Sequence, residues 1–304
     1  MTTADRAQDG AAPTRSWLYV PGDRPDRIAK ALASGADVVI IDLEDAVKPA
    51  AKPEARLNAV AVLAGAGGLG AQRWVRINSG DEGRHDLAAL AAGAGAGAGG
   101  AGAGAAGGGA LPDGVLLAKC ERLDWIAAVA AALPGVPIAA LVETAVALRD
   151  IEKIAGAPGV VCCHLGEVDL LADVGGRLPG GQVLLDHARV AVVVASAAAC
   201  IAAPIGGVHL QIDDLAALHT TSLALAEMGF GGRALIHPSH CAGTNEAFSP
   251  TAAEVAWAHD VLARLGAGHG AVRGAEGEMI DEAVARRARR VLAAAAEPEP
   301  RPPA

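Results

Sequence analysis

Short apolar runs of four to six residues alternate with longer helix-like stretches along most of the chain. Segments 26–32 and 216–228 have the length and spacing of helices and lie between such runs. This alternation is typical of βα units built around a parallel sheet. Eight runs are predicted to be strands: 17–20, 38–42, 74–77, 115–118, 138–142, 160–165, 205–210 and 234–237.

Eight strand–helix units predict an α/β fold, a closed (β/α)₈ TIM barrel over residues 15–245. An open, doubly wound sheet is the alternative, but it carries a Gly-rich phosphate turn, G-x-G-x-x-G, after its first strand. The sequence VPGDR stands there instead. The Gly/Ala segment 91–110 is predicted to be a flexible insertion, and the polar ends 1–14 and 297–304 are predicted to be disordered.

Composition narrows the classes of function. The net charge is −9, from 25 basic and 34 acidic side chains, and only 2% of residues are aromatic, so no nucleic-acid partner is expected. Five cysteines without a C-x-x-C pair indicate reduced thiols in a cytoplasmic protein. The first residues lack an apolar core, so no signal peptide is expected. The longest apolar run, 190–205, is short for a membrane span and is interpreted as a buried helix leading into a strand.

Charged residues recur where the predicted strands end, which is where barrels of this type place their catalytic side chains. Asp42, Thr144 and Asp213 could each simply cap the following helix. Capping does not explain the whole set, because burying many unpaired charges around one mouth is costly without a ligand or metal. The strand ends carry Asp42, Glu44, Asp45, Arg76, Lys119, Glu143, Glu167, Asp169, Asp213, Asp214 and His237.

Carboxylates without a Cys/His cluster favour a hard cation, Mg²⁺ or alternatively Mn²⁺, over zinc. Glu143 and Asp169 follow successive predicted strands, one βα unit apart, and are therefore predicted to hold the ion. The alternative is that these two carboxylates belong to a structural network at the strand ends.

The chain contains the ordered motifs RSWLYVPGDRPDRIAKALASGADVVIIDLEDAV, WVRIN, LVETA, LGEVDLLADVG, GFGGRALIHP and NEAFSPTAAEVAWA. Together they resemble the citrate lyase beta subunit family. That family includes the malyl-CoA and citramalyl-CoA lyases, within the wider HpcH/HpaI aldolase and citrate lyase barrels. The resemblance runs from Arg15 to about Arg290 and is interrupted by the Gly/Ala segment.

The resemblance implies that Glu143 and Asp169 hold Mg²⁺ and that Arg76 contacts the substrate and stabilises developing charge. The segment GEMIDEAVARRA resembles one that reaches over a neighbouring subunit's active site, with Asp281 as the acid/base. A C-terminal helical extension and lid over 246–296 and a homo-oligomer, commonly a trimer, are therefore expected. The residues implied to contact the acyl-CoA are Tyr19, Lys30, Ile236 and His237.

The expected function is Mg²⁺-dependent formation or cleavage of a 3-hydroxyacyl-CoA, of the malyl-CoA, citramalyl-CoA or citryl-thioester type, from a 2-oxo acid and an acyl-thioester enolate. Three alternatives stay open: the beta subunit of a multi-subunit citrate lyase acting on an acyl carrier protein thioester, a malyl-CoA thioesterase, and a non-catalytic acyl-CoA-binding barrel. Lys119 is not expected to be a Schiff-base nucleophile, because the metal supplies the electron sink. Simpler roles exist as well: Arg76 paired only with Glu44, Tyr19 in the core, His237 packed, and Asp281 as a helix cap.

Overall fold

A closed barrel of parallel strands forms the main body of the protein, with each strand paired to the next and the last paired to the first. The computed structural model describes residues 14–65, 70–96, 111–267, 271–274, 277 and 279–295. The predicted eight-stranded (β/α)₈ barrel is confirmed. Its strands are β1 (Ser16–Pro21), β2 (Val38–Asp42), β3 (Gln72–Ile77), β4 (Gly114–Leu117), β5 (Ile138–Val142), β6 (Val160–Leu165), β7 (Ile205–Gly206) and β8 (Gly232–Leu235).

Helices connect the strands and cover the outside of the barrel. Thr144 caps one of them as expected, since its Oγ1 accepts a hydrogen bond from the Ala147 N–H at 3.1 Å. The cap role that was open for Asp213 belongs instead to the neighbouring Asp214, which accepts from the Ala217 N–H at 2.9 Å. The helices are α1 (Pro25–Leu32), α2 (Lys52–Ala64), α3 (Gly80–Ala96), α4 (Leu123–Ala132), α5 (Ala145–Arg149), α6 (Ile151–Ala155), α7 (Glu167–Asp173), α8 (Gln182–Ala198), α9 (Leu215–Met228) and α10 (Cys241–Ala247).

The alternation of side chains along each strand separates two hydrophobic layers. Cys163 belongs to the outer layer between strands and helices, whereas the adjacent Cys162 belongs to the inner one. The inner layer consists of strand residues that fill the barrel: Trp17, Val38, Ile40, Trp74, Leu116, Ala139, Leu141, Cys162, Ile205 and Ala234. Two residues further along four of these strands, on the same inward face, stand Tyr19, Asp42, Arg76 and Glu143. The strand period therefore brings these polar side chains to the mouth of the barrel.

Two segments differ from the sequence expectation. Strand β7 has only two residues instead of the six of segment 205–210, because Gly206 and Gly207 add no side chain to pack a strand interior. Helix α3 continues through Ala96, so the first residues of the Gly/Ala segment 91–110 are helical, in keeping with the high helix propensity of alanine. The remainder of that segment, residues 97–110, lies outside the described residues, as do 1–13 and 297–304.

A pair of helices, α11 (Ala252–Ala267) and α12 (Glu282–Ala295), follows the barrel. A two-stranded antiparallel ribbon, β9 (Val272–Arg273) and β10 (Met279–Ile280), lies between them in the chain. Phe248 packs against the barrel core, and α11 begins four residues later, at Ala252. The extension and lid over 246–296 stay a prediction. This helix pair has a hydrophobic cluster of its own, made by Ala258, Val261, Ile280 and Ala288. Its packing on a neighbouring subunit stays a prediction.

Helix α8 was expected to be buried, but only one of its faces is. Val190 and Val194 are 53% and 60% exposed, whereas Ala188 and Val192 are buried. Among the described residues, we find no helix with both the length and the apolar character needed to cross a bilayer. All five cysteines are free thiols.

Candidate active site at the barrel mouth

Arg76, at the end of β3, is held by two carboxylates. Its Nε donates to Oδ1 of Asp42 at 2.7 Å, and its Nη2 donates to Oδ2 of the same carboxylate. Its Nη1 lies 3.0 Å from Oε2 of Glu44. Asp42 and Arg76 are register partners on adjacent strands, which explains the bidentate geometry. The expected pairing with Glu44 is present, but Asp42 is the main partner.

The surroundings of Arg76 keep it charged and fixed. Its Cζ lies 4.8 Å from the centroid of the Tyr19 ring, a cation–π contact. Although burial opposes the charge, Asp42 raises the pKa of Arg76 well above its ordinary value. Burial also raises the pKa of the Tyr19 phenol, so this ring stays neutral near neutral pH. A guanidinium has five N–H donors and Asp42 takes two, so Arg76 retains donors for a ligand.

Lys119 follows β4, and its side chain contacts two carboxylates of the loop after β2. Its Nζ contacts Oε1 of Glu44 and lies 3.4 Å from Oδ2 of Asp45. Partial burial opposes its charge, but the hydrogen bond to Glu44 and the nearby carboxylates raise the pKa of Lys119 overall. An amine nucleophile needs the opposite shift, so these contacts agree with the expectation that Lys119 is not a Schiff-base nucleophile.

Glu143, at the end of β5, is the most deeply buried of the predicted metal ligands. The residue is 1% exposed, and its Oε1 accepts a hydrogen bond from the Lys119 N–H at 2.7 Å. Burial raises the pKa of Glu143 to about 7, and the charge of Glu44 adds to this, while the Lys119 N–H opposes it. A carboxyl group with this pKa changes charge near neutral pH and gains from a cation beside it.

The start of α7 fits closely against Glu143. A Cβ atom on Gly166 would lie 2.6 Å from Cβ of Glu143 and 3.1 Å from its Oε2, so only glycine allows this approach. Asp169 follows in the first turn of α7 and is exposed. Mg²⁺ commonly takes one or two carboxylates plus water and substrate oxygens, so this donor set fits Mg²⁺. Within the described ranges, no group of three or more His, Cys, Asp or Glu side chains is arranged to hold a metal.

The residues predicted to contact the acyl-CoA are more dispersed. Tyr19 lies beside Arg76, as described above, and Ile236, directly after β8, is 40% exposed at the same mouth. His237 is exposed, and its Nδ1 accepts from the Ser239 N–H at 3.3 Å, which caps a short 3₁₀ turn. Lys30 is exposed in the last turn of α1 and is not among the buried charges.

Asp281 directly precedes α12 in the C-terminal helix pair. Its Oδ1 accepts from the N–H groups of Ala283 and Val284 at 2.9 and 3.1 Å, so it caps that helix. A cap role is compatible with an acid/base role, because Oδ2 is a separate oxygen of the same carboxylate. Both hydrogen bonds of Asp281 are therefore to residues of its own helix.

His164 lies inside the barrel on β6. Its ring stacks edge-on against Trp17 with centroids 4.6 Å apart, and neither ring nitrogen has a hydrogen-bond partner among the residues described. Burial lowers the pKa of His164 to about 3, so the ring is neutral at physiological pH.

Some contacts of the site did not follow from the sequence. The Asp42–Arg76 pair had a signal, since both residues stand at or next to the ends of adjacent predicted strands. The strand-end pattern included Lys119, but the contact of its N–H with Glu143 had no signal, because nothing in the sequence shows that it adopts a positive φ of 47°. Arg189 pairs with both carboxylate oxygens of Glu167 at 2.8 Å, a contact between α8 and α7 that no motif indicates.

A closed parallel barrel with carboxylates and a fixed guanidinium at the carboxyl ends of its strands defines a (β/α)₈-barrel protein with the layout of an enzyme. The family model described as HpcH/HpaI aldolase/citrate lyase matches residues 15–96 and 117–238. The chain belongs to this family, as the resemblance indicated.

Named relatives have different activities. A citrate lyase subunit beta-like protein of Mycobacterium tuberculosis is 36% identical over 290 residues, covering 92% of this chain and 95% of the relative. A (3S)-malyl-CoA thioesterase of Cereibacter sphaeroides is 32% identical over 255 residues, covering 83% of each chain. The crystal structure of protein CitE from M. tuberculosis in complex with magnesium, acetoacetate and coenzyme A has a TM-score of 0.75 and 33% identity, covering 94% of this chain and 99% of that chain. The family is therefore enzymatic, and its named members include a citrate lyase subunit beta-like protein and a hydrolase.

Proposed function

We propose that the chain is a Mg²⁺-dependent lyase that cleaves or forms a 3-hydroxyacyl-CoA from a 2-oxo acid and an acyl-thioester enolate. The observation that carries this proposal is the buried Glu143 carboxylate, packed against Gly166 at the start of the helix that bears Asp169. The similar CitE structure that holds magnesium, acetoacetate and coenzyme A supports it.

Glu143 and Asp169 would hold the ion, which supplies Lewis-acid polarisation of the 2-oxo carbonyl when bound. Arg76 donates hydrogen bonds to the oxygen on which negative charge develops. Asp42 grips Arg76 through two hydrogen bonds, so the guanidinium needs little reorganisation during the reaction. Binding and orientation of the 2-oxo acid therefore depend on these four side chains.

Asp281 is proposed to move the proton at the thioester α-carbon. In the cleavage direction the hydroxyl gives its proton to solvent water and its oxygen becomes the carbonyl oxygen of the 2-oxo acid. The bond between the hydroxyl-bearing carbon and the α-carbon breaks with its electron pair passing to the enolate, and the protonated carboxyl of Asp281 then delivers a proton to that α-carbon. Because Asp281 lies in the C-terminal helix pair, it would act on the mouth of a neighbouring copy. This requires a homo-oligomer, which we propose to be a trimer or a multiple of one. The acyl-CoA contacts are proposed for Tyr19, Lys30, Ile236 and His237.

Condensation assays test the proposal. Acetyl-CoA or propionyl-CoA is incubated with Mg²⁺ and glyoxylate, pyruvate or oxaloacetate, and mass spectrometry follows the thioester. We expect a condensed thioester with at least one pair, and none with Glu143→Gln. Lys153→Met is the matched control, since Lys153 is exposed and pairs with Asp150 at 2.7 Å. Full activity of Glu143→Gln would contradict the proposed metal site.

A malyl-CoA thioesterase is the second candidate, because a relative with that activity is 32% identical over 83% of this chain. The products separate the two reactions. A lyase converts malyl-CoA into glyoxylate and acetyl-CoA, whereas a thioesterase adds water and releases malate with free coenzyme A thiol. Thiol titration with and without a glyoxylate trap therefore distinguishes them. Activity only on a thioester of acyl carrier protein would instead indicate the beta subunit of a multi-subunit citrate lyase.

A further inference from the structure

Lys119 has an unusual main-chain conformation for a residue with a side chain. Its φ is +47°, in the left-handed region, where Cβ crowds the backbone and glycine is the favoured residue. In the described ranges, Cys200 is the only other non-glycine residue with a positive φ. Such conformations persist only where the surroundings hold them, and they cluster at functional sites.

The left-handed conformation directs the main chain of Lys119 at a predicted metal ligand. Its N–H donates to Oε1 of Glu143 at 2.7 Å. The next N–H along the chain, that of Cys120, donates to the Leu141 carbonyl of the same strand at 3.2 Å. With Oε1 occupied, Oε2 is the oxygen of Glu143 that lies next to Gly166 and the start of α7.

The side chain of Lys119 is anchored at its other end. Its Nζ contacts Glu44 and lies 3.4 Å from Asp45, on the loop after β2. Glu44 in turn lies 3.0 Å from Arg76, so the anchor is part of a fixed charge network. A glycine could adopt the same φ without cost, but it could not make this connection.

We propose that Lys119 is a positioning residue for the metal site. Its ammonium group, held by Glu44 and Asp45, stabilises the left-handed main chain, which fixes Oε1 of Glu143 and leaves Oε2 for the ion. This inference rests on the proposed function in that Glu143 is taken as a metal ligand.

A purely electrostatic role predicts a different outcome. If Lys119 acted only through its charge, removing that charge would strengthen cation binding, and every uncharged substitution would act alike. If it acts through the backbone, Lys119→Met loses the anchor but keeps the cost of the left-handed φ. Lys119→Gly also loses the anchor, but it adopts that φ freely.

The test measures the dissociation constant of Mn²⁺ by electron paramagnetic resonance in the full-length protein. We expect Lys119→Met to bind Mn²⁺ more weakly than wild type and about fivefold more weakly than Lys119→Gly. Lys153→Met is the control and should match wild type. Circular dichroism checks the fold of each variant, and Lys119→Ala replaces Lys119→Met in the comparison if the latter does not fold.

Equal affinities of Lys119→Met and Lys119→Gly, or tighter binding by Lys119→Met than by wild type, would overturn the inference. Glu143→Gln separates this from failure of the proposed function. If Glu143→Gln abolishes Mn²⁺ binding, the metal site stands whatever the Lys119 variants do. If it binds Mn²⁺ like wild type, the metal assignment and the positioning role both fall.

Discussion

Replacing Glu143 by Gln should make the metal-free protein more stable above neutral pH. The pKa of Glu143 is raised from its usual 4.5 to about 7, because the carboxyl group is buried. A pKa that is higher in the folded state means that folded protein binds this proton more tightly than unfolded protein does. Below pH 4.5 the carboxyl group therefore does not lower the free energy of unfolding. Its destabilising effect grows between pH 4.5 and 7 and is complete above 7. At 1.36 kcal/mol per pH unit, that cost is about 3 kcal/mol.

Glutamine has nearly the same shape and can still accept the Lys119 N–H, so the substitution removes the charge with little other change. We expect the free energy of unfolding of Glu143→Gln to exceed that of wild type by about 2 to 3 kcal/mol at pH 8 and to match it near pH 4.5. Urea titrations in EDTA at several pH values measure this difference. A variant that is less stable than wild type at pH 8, or a difference independent of pH, would refute the reasoning.

Four further outcomes are expected. Mg²⁺ at one hundred times its dissociation constant should stabilise wild type by about 2.7 kcal/mol in thermal melts, and Glu143→Gln should not respond. Arg76→Met should lower the free energy of unfolding by about 3 to 5 kcal/mol, because it leaves the buried Asp42 carboxylate without its charged partner. Urea titrations of the double variant with Asp42→Asn should show that part of this loss is recovered. The pKa of His164 is lowered from 6.5 to about 3, so the neutral ring must gain a proton when the protein unfolds at low pH. The free energy of unfolding of wild type should therefore fall by about 2 kcal/mol between pH 7 and 5, and that of His164→Leu should not show this fall. Mixed oligomers of Asp281→Asn with Glu143→Gln should regain activity if the site is shared between copies. The absence of any recovery would contradict the shared site, and full activity of Asp281→Asn alone would place Asp281 outside the reaction.

The barrel could be predicted from sequence because its strands are marked twice, by apolar runs and by the polar residues that end them. The bounds of β2, β5 and β6 agree with the predicted 38–42, 138–142 and 160–165. Segment 205–210 was misjudged, because its apolar residues continue past Gly206 although pairing with β6 and β8 stops there. Hydrophobic pattern reports burial, and only the pairing of neighbouring strands decides where a strand ends.

The sequence predicted in part which residues form the site, but it did not predict how they contact one another. Motifs and strand ends placed Arg76 and Glu143 at one mouth, since inward-facing positions repeat every second residue. The two hydrogen bonds between Arg76 and Asp42 depend on the register between β2 and β3. The hydrogen bond from the Lys119 N–H to Glu143 depends on one main-chain angle. Residue types alone specify neither the register between two strands nor a single main-chain angle. The roles assigned to Asp169, Asp281 and the acyl-CoA contacts stay predictions until a ligand is bound.

The hairpin of α11 and α12 encloses Ala258, Val261, Ile280 and Ala288 without help from the barrel. Asp281, next to Ile280, therefore belongs to a part of the chain whose buried cluster is separate from the barrel core. Substitutions among the small residues of this cluster should change the packing around Asp281 while leaving the barrel core as it is.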